Sequence, residues 1–164
     1  MKKLMLLAAL ASVSMMAEDA VTKNLRTHVT SYKENILASL AKLPESDLAF
    51  KPVATVMSFQ ELFGHITDAN YSICSQLRGE ANPDKGGNAK QHTSKAALSS
   101  ALEKSFDYCL ESATLSDGKL AEQTKARVPR DKAWTALHSL DHMALHYGNI
   151  VTYMRIRGLA PGKK

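Results

Sequence analysis

The chain has 164 residues, 45% of them apolar and 23% charged, with 8 glycines and 5 prolines. That balance fits one globular domain and excludes a disordered or fibrous chain, and this length buries roughly two-thirds of the surface its unfolded form exposes, so one core suffices. The formal charge of +5 comes from scattered residues such as Lys23, Arg26, Lys33, Lys42 and Lys51, without a basic run or interleaved aromatics, so no nucleic-acid partner is expected.

Lys2 and Lys3 precede an apolar stretch from Leu4 to about Val13, and polar Glu18 and Asp19 follow Ala17. This is the layout of a signal peptide. The apolar run is well short of the ~20 residues needed to span a bilayer, so no membrane span is expected after processing. Residues 1–17 are read as the leader, residues 18–164 as one domain, and the expected location is periplasmic or secreted. Cleavage after Ala17 would follow bulky Met15 two residues earlier; Ser12 and Ser14 offer a second site. Loss of Lys2 and Lys3 leaves 19 basic against 16 acidic side chains, a charge of +3.

The first helical pattern runs from about Glu18 to Leu43, with Leu25, Val29, Tyr32, Ile36 and Leu40 at three- and four-residue steps, and Pro44 ends it. Residues 44–57 lack that period and form a long connection. Ser58 with Glu61 three residues on has capping-box spacing and opens a second helix, which carries Leu62, Phe63, Ile66, Ile73 and Leu77 and fades at Gly79. Pro83, Gly86, Gly87 and Asn88 mark the next connection as a turn region. A third helix follows from Ser94 through Leu110, then a polar connection leads to Pro129. The fourth helix begins near Asp131 and stops at Gly158 and Pro161. No strand pattern competes. Long connections between helices one and two and between three and four, with a shorter central one, predict an all-α four-helix bundle of up-up-down-down order.

Two cysteines in an exported chain invite a disulfide. If Cys74 and Cys109 lie on antiparallel helices joined near residues 79–93, they stand ~5 and ~15 residues from the loop, a stagger of ~15 Å. A disulfide needs a separation of ~5.5 Å, so two buried free thiols are expected.

His138, His142 and His146 recur at four-residue steps on the fourth helix, so adjacent pairs project from one face. Neutral imidazoles on consecutive turns converge on a small divalent ion, although histidines so spaced also line solvated faces. His65 adds weight because it falls in the apolar stripe of helix two, where an unpaired imidazole is awkward. Glu61 and Asp68, one turn to either side, either orient its second nitrogen or face solvent. His28 and His92 have no companions and read as surface residues, Met143 and Met154 as core filler. Gly148 reads as a glycine on the inward side of helix four that lets another helix approach.

These pieces together, Ser-Phe-Gln-Glu-Leu-Phe-Gly-His65-Ile, then the series His138, His142 and His146 with Tyr147-Gly148-Asn149, then Tyr153-Met-Arg-Ile-Arg-Gly-Leu-Ala-Pro161, resemble the DinB/YfiT-like superfamily over essentially the whole mature chain. The resemblance implies a metal triad of His65, His142 and His146, with His138 matching a frequent extra histidine that is not usually a ligand. Where the family commonly has Arg-Gly-Gln after the last histidine this chain has Tyr147-Gly148-Asn149, which leaves the ligands intact and questions any substrate contact made by that arginine or glutamine.

Three imidazoles leave one position of a zinc or nickel ion open for water or a substrate thiol. The resemblance implies a metal-dependent transferase that activates a low-molecular-weight thiol such as bacillithiol or mycothiol on a small-molecule substrate. Export weighs against it, because such thiols are scarce outside the cell. Hydrolysis of a small amide or ester by bound water, with Tyr147 or His138 as base, and a non-enzymatic metal-binding bundle are the alternatives. The family's bundles often pair, which implies a homodimer as one option, but no exposed apolar stripe in the sequence identifies an interface.

Overall fold

The computed structural model describes residues 2–163, with side chains from residue 20 onward except that of Asp117; the leader expected over residues 1–17 lies outside the residues whose side chains are described. Among the described residues the chain forms α1 (Lys2–Lys42), a 3-10 turn (Glu45–Asp47), α2 (Phe59–Arg78), α3 (Asn88–Gln91), α4 (Lys95–Ser112), α5 (Asp117–Leu120) and α6 (Lys132–Ile156). No helix among them is long and apolar enough to cross a membrane. The helix boundaries follow local chemistry. Ser58 accepts a hydrogen bond from the Glu61 amide while the Glu61 carboxylate accepts from the Ser58 amide, closing the expected capping box. Ser94 and Asp131 cap α4 and α6 more simply, each side chain accepting from the amide three residues on. At Gly79 the backbone turns left-handed, φ 73°, and ends α2.

The four long helices surround one core in which Val29, Ile36 and Leu40 of α1, Leu62, Phe63 and Ile66 of α2, Leu98, Leu102 and Phe106 of α4, and Met143, Ile150 and Met154 of α6 are buried. Burying each such side chain contributes about 1.5–3 kcal/mol. Met143 and Met154 are the core filler expected.

Cross-helix pairs fix the direction of each helix. Lys95 at the start of α4 donates to the carbonyls of Ala41 and Leu43 at the end of α1, and Lys33 reaches Asp107 at 2.5 Å, so α1 and α4 are antiparallel. Asn70 donates to Ser105, Cys74 meets Cys109 and Arg78 meets Glu111, so the numbers rise together and α2 and α4 are parallel. Phe59 packs on Tyr153 and His65 on His146, which makes α2 and α6 antiparallel. The all-α architecture agrees with the sequence, but the expected up-up-down-down order is corrected to up-down-down-up.

The cause is the segment between α2 and α4. It does not turn over at the end of α2; it runs back along that helix and docks through α3. Gln60 donates to the Ala89 carbonyl at 2.6 Å, and Asp68 accepts from the amides of Gly87 and Asn88 and from the Asn88 side chain. Between them stands Gly64, where an added Cβ would lie 2.3 Å from the Ala89 nitrogen. Gln60, Gly64 and Asp68 occupy successive turns of one α2 face, and together they form the strip on which the returning chain lies.

Parallel α2 and α4 also overturn the expectation of two free thiols. Cys74 and Cys109 lie at the same height with Cα atoms 5.2 Å apart and form a disulfide, within the range a disulfide requires. The antiparallel stagger does not exist because the connection crosses the length of the bundle. The bridge closes a loop with sequence separation 35, for which chain-entropy arguments give about 4 kcal/mol. Replacing both cysteines by alanine is therefore expected to lower the unfolding free energy in urea by about that amount, and an unchanged urea midpoint would contradict a formed bridge.

Candidate metal centre

His65 projects from α2 between buried Leu62 and Ile66, and the antiparallel crossing of α2 and α6 sets it opposite His142 and His146 on consecutive turns of α6. One nitrogen from each ring lies within 4.8 Å of the other two. The Nε2 atoms of His65 and His142 are 3.1 Å apart, and ring centroids are separated by 5.0, 4.7 and 4.4 Å around the triangle. Nitrogens each ~2.0–2.1 Å from a tetrahedral ion stand ~3.3 Å apart, close to the His65 to His142 spacing. The three residues could hold a metal ion.

Electrostatics favour the state a metal needs. Burial, followed by the neighbouring His146, His65 and His138 rings, pushes the His142 imidazole down to about 4. Burial and His65 push His146 down as well. Both rings therefore stay neutral at physiological pH with lone pairs available, as coordination requires. The Nδ1 atom of His142 is buried without a hydrogen-bond partner. Three imidazoles without a carboxylate are not the oxygen-rich donor set that calcium or magnesium takes.

The side chains around the triad separate into those that touch it and those that do not. Asn149 places its amide 3.5 Å from Nδ1 of His146; with the amide oxygen turned toward the ring it would accept Nδ1–H and leave Nε2 free. His138 stays exposed, stacks on Trp134 at 5.0 Å and stands 6.4 Å from the His142 ring, outside the triad. Tyr147 turns away to pack edge-on against Tyr32 of α1, so it does not face the site as the base considered from the sequence. Gly148 is also corrected: nothing lies within 4 Å of a Cβ built there, so it faces outward, and the close-approach glycine is Gly64.

Glu61 and Asp68 do not orient His65. Glu61 is held by Lys51 at 2.7 Å and by the Ser58 amide, which in that order keep its carboxyl below the usual range, and Asp68 is held by the returning segment. His28 is exposed and His92 half-buried, both apart from the triad.

A cleft of about 470 Å³ opens on the outer side of His65, walled by Lys51 and residues 54–57 on one flank and by Gly87, Ala89 and Lys90 on the other. Its first wall is anchored by Asp47, which accepts two hydrogen bonds of 3.0 Å from Arg157 just past α6. The second wall is the segment docked on Gln60, Gly64 and Asp68. Neither anchor was legible as a site feature: Asp47 and Arg157 are 110 residues apart, and Gly64 reads as an ordinary helical glycine.

Comparison with known proteins is consistent with this geometry. The model of the DinB superfamily matches residues 29–153, while no curated protein matches the chain. Among solved structures, the chain is similar to a DinB-like protein from Bacillus subtilis, with 19% identity, TM-score 0.69, and coverage of 86% of this chain and 96% of that one. It is also similar to a DinB-like protein from Bacillus cereus, with 16% identity, TM-score 0.73, and coverage of 87% and 96%. At these identities the likeness speaks for the fold.

Below pH 6.5 an unfolded histidine binds a proton that folded His142 refuses until about 4. Stability of the metal-free chain is thus complete above 6.5 and falls as the pH drops through that window. Thermal melts of chelator-treated protein are expected to show the midpoint declining from pH 6.5 toward 4, with a shallower decline in His142→Gln. Equal slopes in the two proteins would contradict the crowding of the triad.

Proposed function

The chain belongs to the DinB superfamily, and we propose that it binds one divalent ion, zinc or nickel, through His65, His142 and His146 and uses it to activate a small-molecule thiol for transfer. The observation that carries this reading is the convergence of three ring nitrogens from two helices, with burial holding His142 and His146 below the usual histidine range. A divalent ion there would lower the pKa of a coordinated thiol or water toward neutrality.

The chain's own residues supply the remainder. His142 and His146 remain unprotonated and present lone pairs. Asn149 stands beside the outer nitrogen of His146, where its amide oxygen, turned to the ring, would steady it. The cleft beside His65 admits a small molecule from the side of Lys51 and Lys90. Thiol transfer asks little more of the site, because a coordinated thiol loses its proton without a separate base, whereas the neighbouring carboxylates, Glu61 and Asp68, are committed to hydrogen bonds elsewhere.

One observation favours a second reading. The buried Cys74–Cys109 disulfide is the kind of bond that persists in oxidising compartments, which supports the exported, periplasmic or secreted location expected from residues 1–17. Reduced small thiols are scarce there, and hydrolysis of a small amide or ester by bound water is the corresponding activity, with exposed His138 as the nearest candidate for proton transfer. A non-enzymatic metal-binding role requires only the triad.

Cobalt-substituted protein separates these readings. Adding cysteine or bacillithiol is expected to produce the intense near-ultraviolet sulfur-to-cobalt charge-transfer band of a coordinated thiolate. A spectrum unchanged by millimolar thiol would sink the transferase reading and leave the hydrolytic one.

A further inference from the structure

Between α5 and α6 the chain makes a short loop that is clasped at its base. The Thr124 amide donates to the Arg130 carbonyl at 2.8 Å, the Arg130 amide donates to the Thr124 hydroxyl, and the Lys132 amide donates to the Glu122 carbonyl. Outside this clasp stands the tip, in which Lys125, Arg127, Val128 and Pro129 are exposed, Val128 by 55%. Arg130 lies over the Trp134 ring at 5.4 Å and ties the loop to the first turn of α6. Trp134 is 47% exposed; Leu137, one turn on, is 68% exposed and shares an apolar cleft with Val21 of α1, itself 53% exposed. Four of the seven large apolar side chains left exposed among the described residues thus gather at this end of the bundle.

Charge of one sign is left over around them. Residues 119–132 carry the cations Lys119, Lys125, Arg127, Arg130 and Lys132 against the acids Glu122 and Asp131. Glu122 is taken by Lys119 at 2.6 Å and Lys132 at 3.1 Å, and Asp131 accepts from the Trp134 amide as the cap of α6. Glu80, which lines a cavity with Lys125, is held by Arg78 at 2.9 Å. Among the described residues Lys125, Arg127 and Arg130 take part in no ion pair.

We propose that this surface docks the chain on a membrane rich in anionic phospholipid, with Val128 and Trp134 entering the headgroup boundary and Lys125, Arg127 and Arg130 meeting the lipid phosphates. Tryptophan favours that boundary, where its ring leaves water while its N–H keeps a hydrogen-bond partner. Charge complementarity selects an anionic surface, and the apolar side chains among the cations select one with hydrocarbon beneath it; a soluble acidic polymer would satisfy the cations and leave Val128 and Trp134 in water. Each cation near such a surface strengthens binding about fivefold, so the three together supply about a hundredfold. Binding of this kind is reversible and weakens with salt. None of these residues belongs to the histidine triad, so docking is independent of metal.

Trp134 is the single tryptophan of the chain, so its fluorescence reports the contact directly. With vesicles of phosphatidylglycerol and phosphatidylcholine in equal parts, the purified chain is expected to co-sediment, to shift its emission to shorter wavelength and to be quenched by lipids brominated near the headgroup. Pure phosphatidylcholine is expected to give none of these. The triple variant K125Q/R127Q/R130Q should bind about a hundredfold more weakly, and Val128→Asp should lose the emission shift, with melting temperature as the folding control for both. Contact that persists on pure phosphatidylcholine and leaves Trp134 unquenched would come through the apolar residues 4–13 and overturn the proposal. Anionic vesicles that leave the emission unchanged, a triple variant that binds as the parent does, or soluble polyglutamate that shifts Trp134 as far as the vesicles do would overturn it equally.

Discussion

The rest of the site depends on three imidazoles brought together at a half-buried point between two helices. His65 lies in the apolar stripe of α2, so its ring must find polar company across the bundle, and the neighbours it finds are two more histidines on consecutive turns of α6. Burial first, and then the neighbouring rings, make His142 and His146 harder to protonate. The cluster is uncomfortable as a set of free bases in acid and well suited as a set of lone pairs around a cation. Packing of Phe59 on Tyr153, and of the other buried apolar side chains of α2 and α6, sets the register that brings His65 to the pair.

The same helix carries the rest of the site. On one face α2 offers Gln60, Gly64 and Asp68 to the returning segment, and on another it is joined to α4 by the disulfide. The cleft beside His65 is thus bounded by chain that is anchored on both flanks, on α2 by the Gly64 strip and on the end of α6 by the Asp47–Arg157 pair. The cleft reaches His65 between loops held on rigid elements, the usual division between scaffold and function.

Local chemistry was legible in the sequence and long-range geometry was not. Ser58 and Glu61 marked the start of α2, Gly79 its end, and four-residue spacing placed His142 and His146 together. His65 was singled out as a polar residue in an apolar stripe, and the structure brings it to the other two. Direction failed because turn residues such as Pro83, Gly86 and Gly87 read alike in a tight turn and in a segment that runs back along a helix. The pairing of Cys74 with Cys109 and the outward aspect of Gly148 both hang on that packing, and neither spacing nor periodicity encodes it. Tyr147 illustrates the same limit: beside His146 in sequence, it faces α1 in space.

The account stands on the triad holding one ion. Metal content of the purified chain, measured by plasma mass spectrometry beside His65→Ala, His142→Ala and His146→Ala variants with intact melting transitions, addresses this most directly. The account predicts about one zinc or nickel per chain, lost in each variant. A chain that takes up no metal on titration, or variants that retain it in full, would contradict the account.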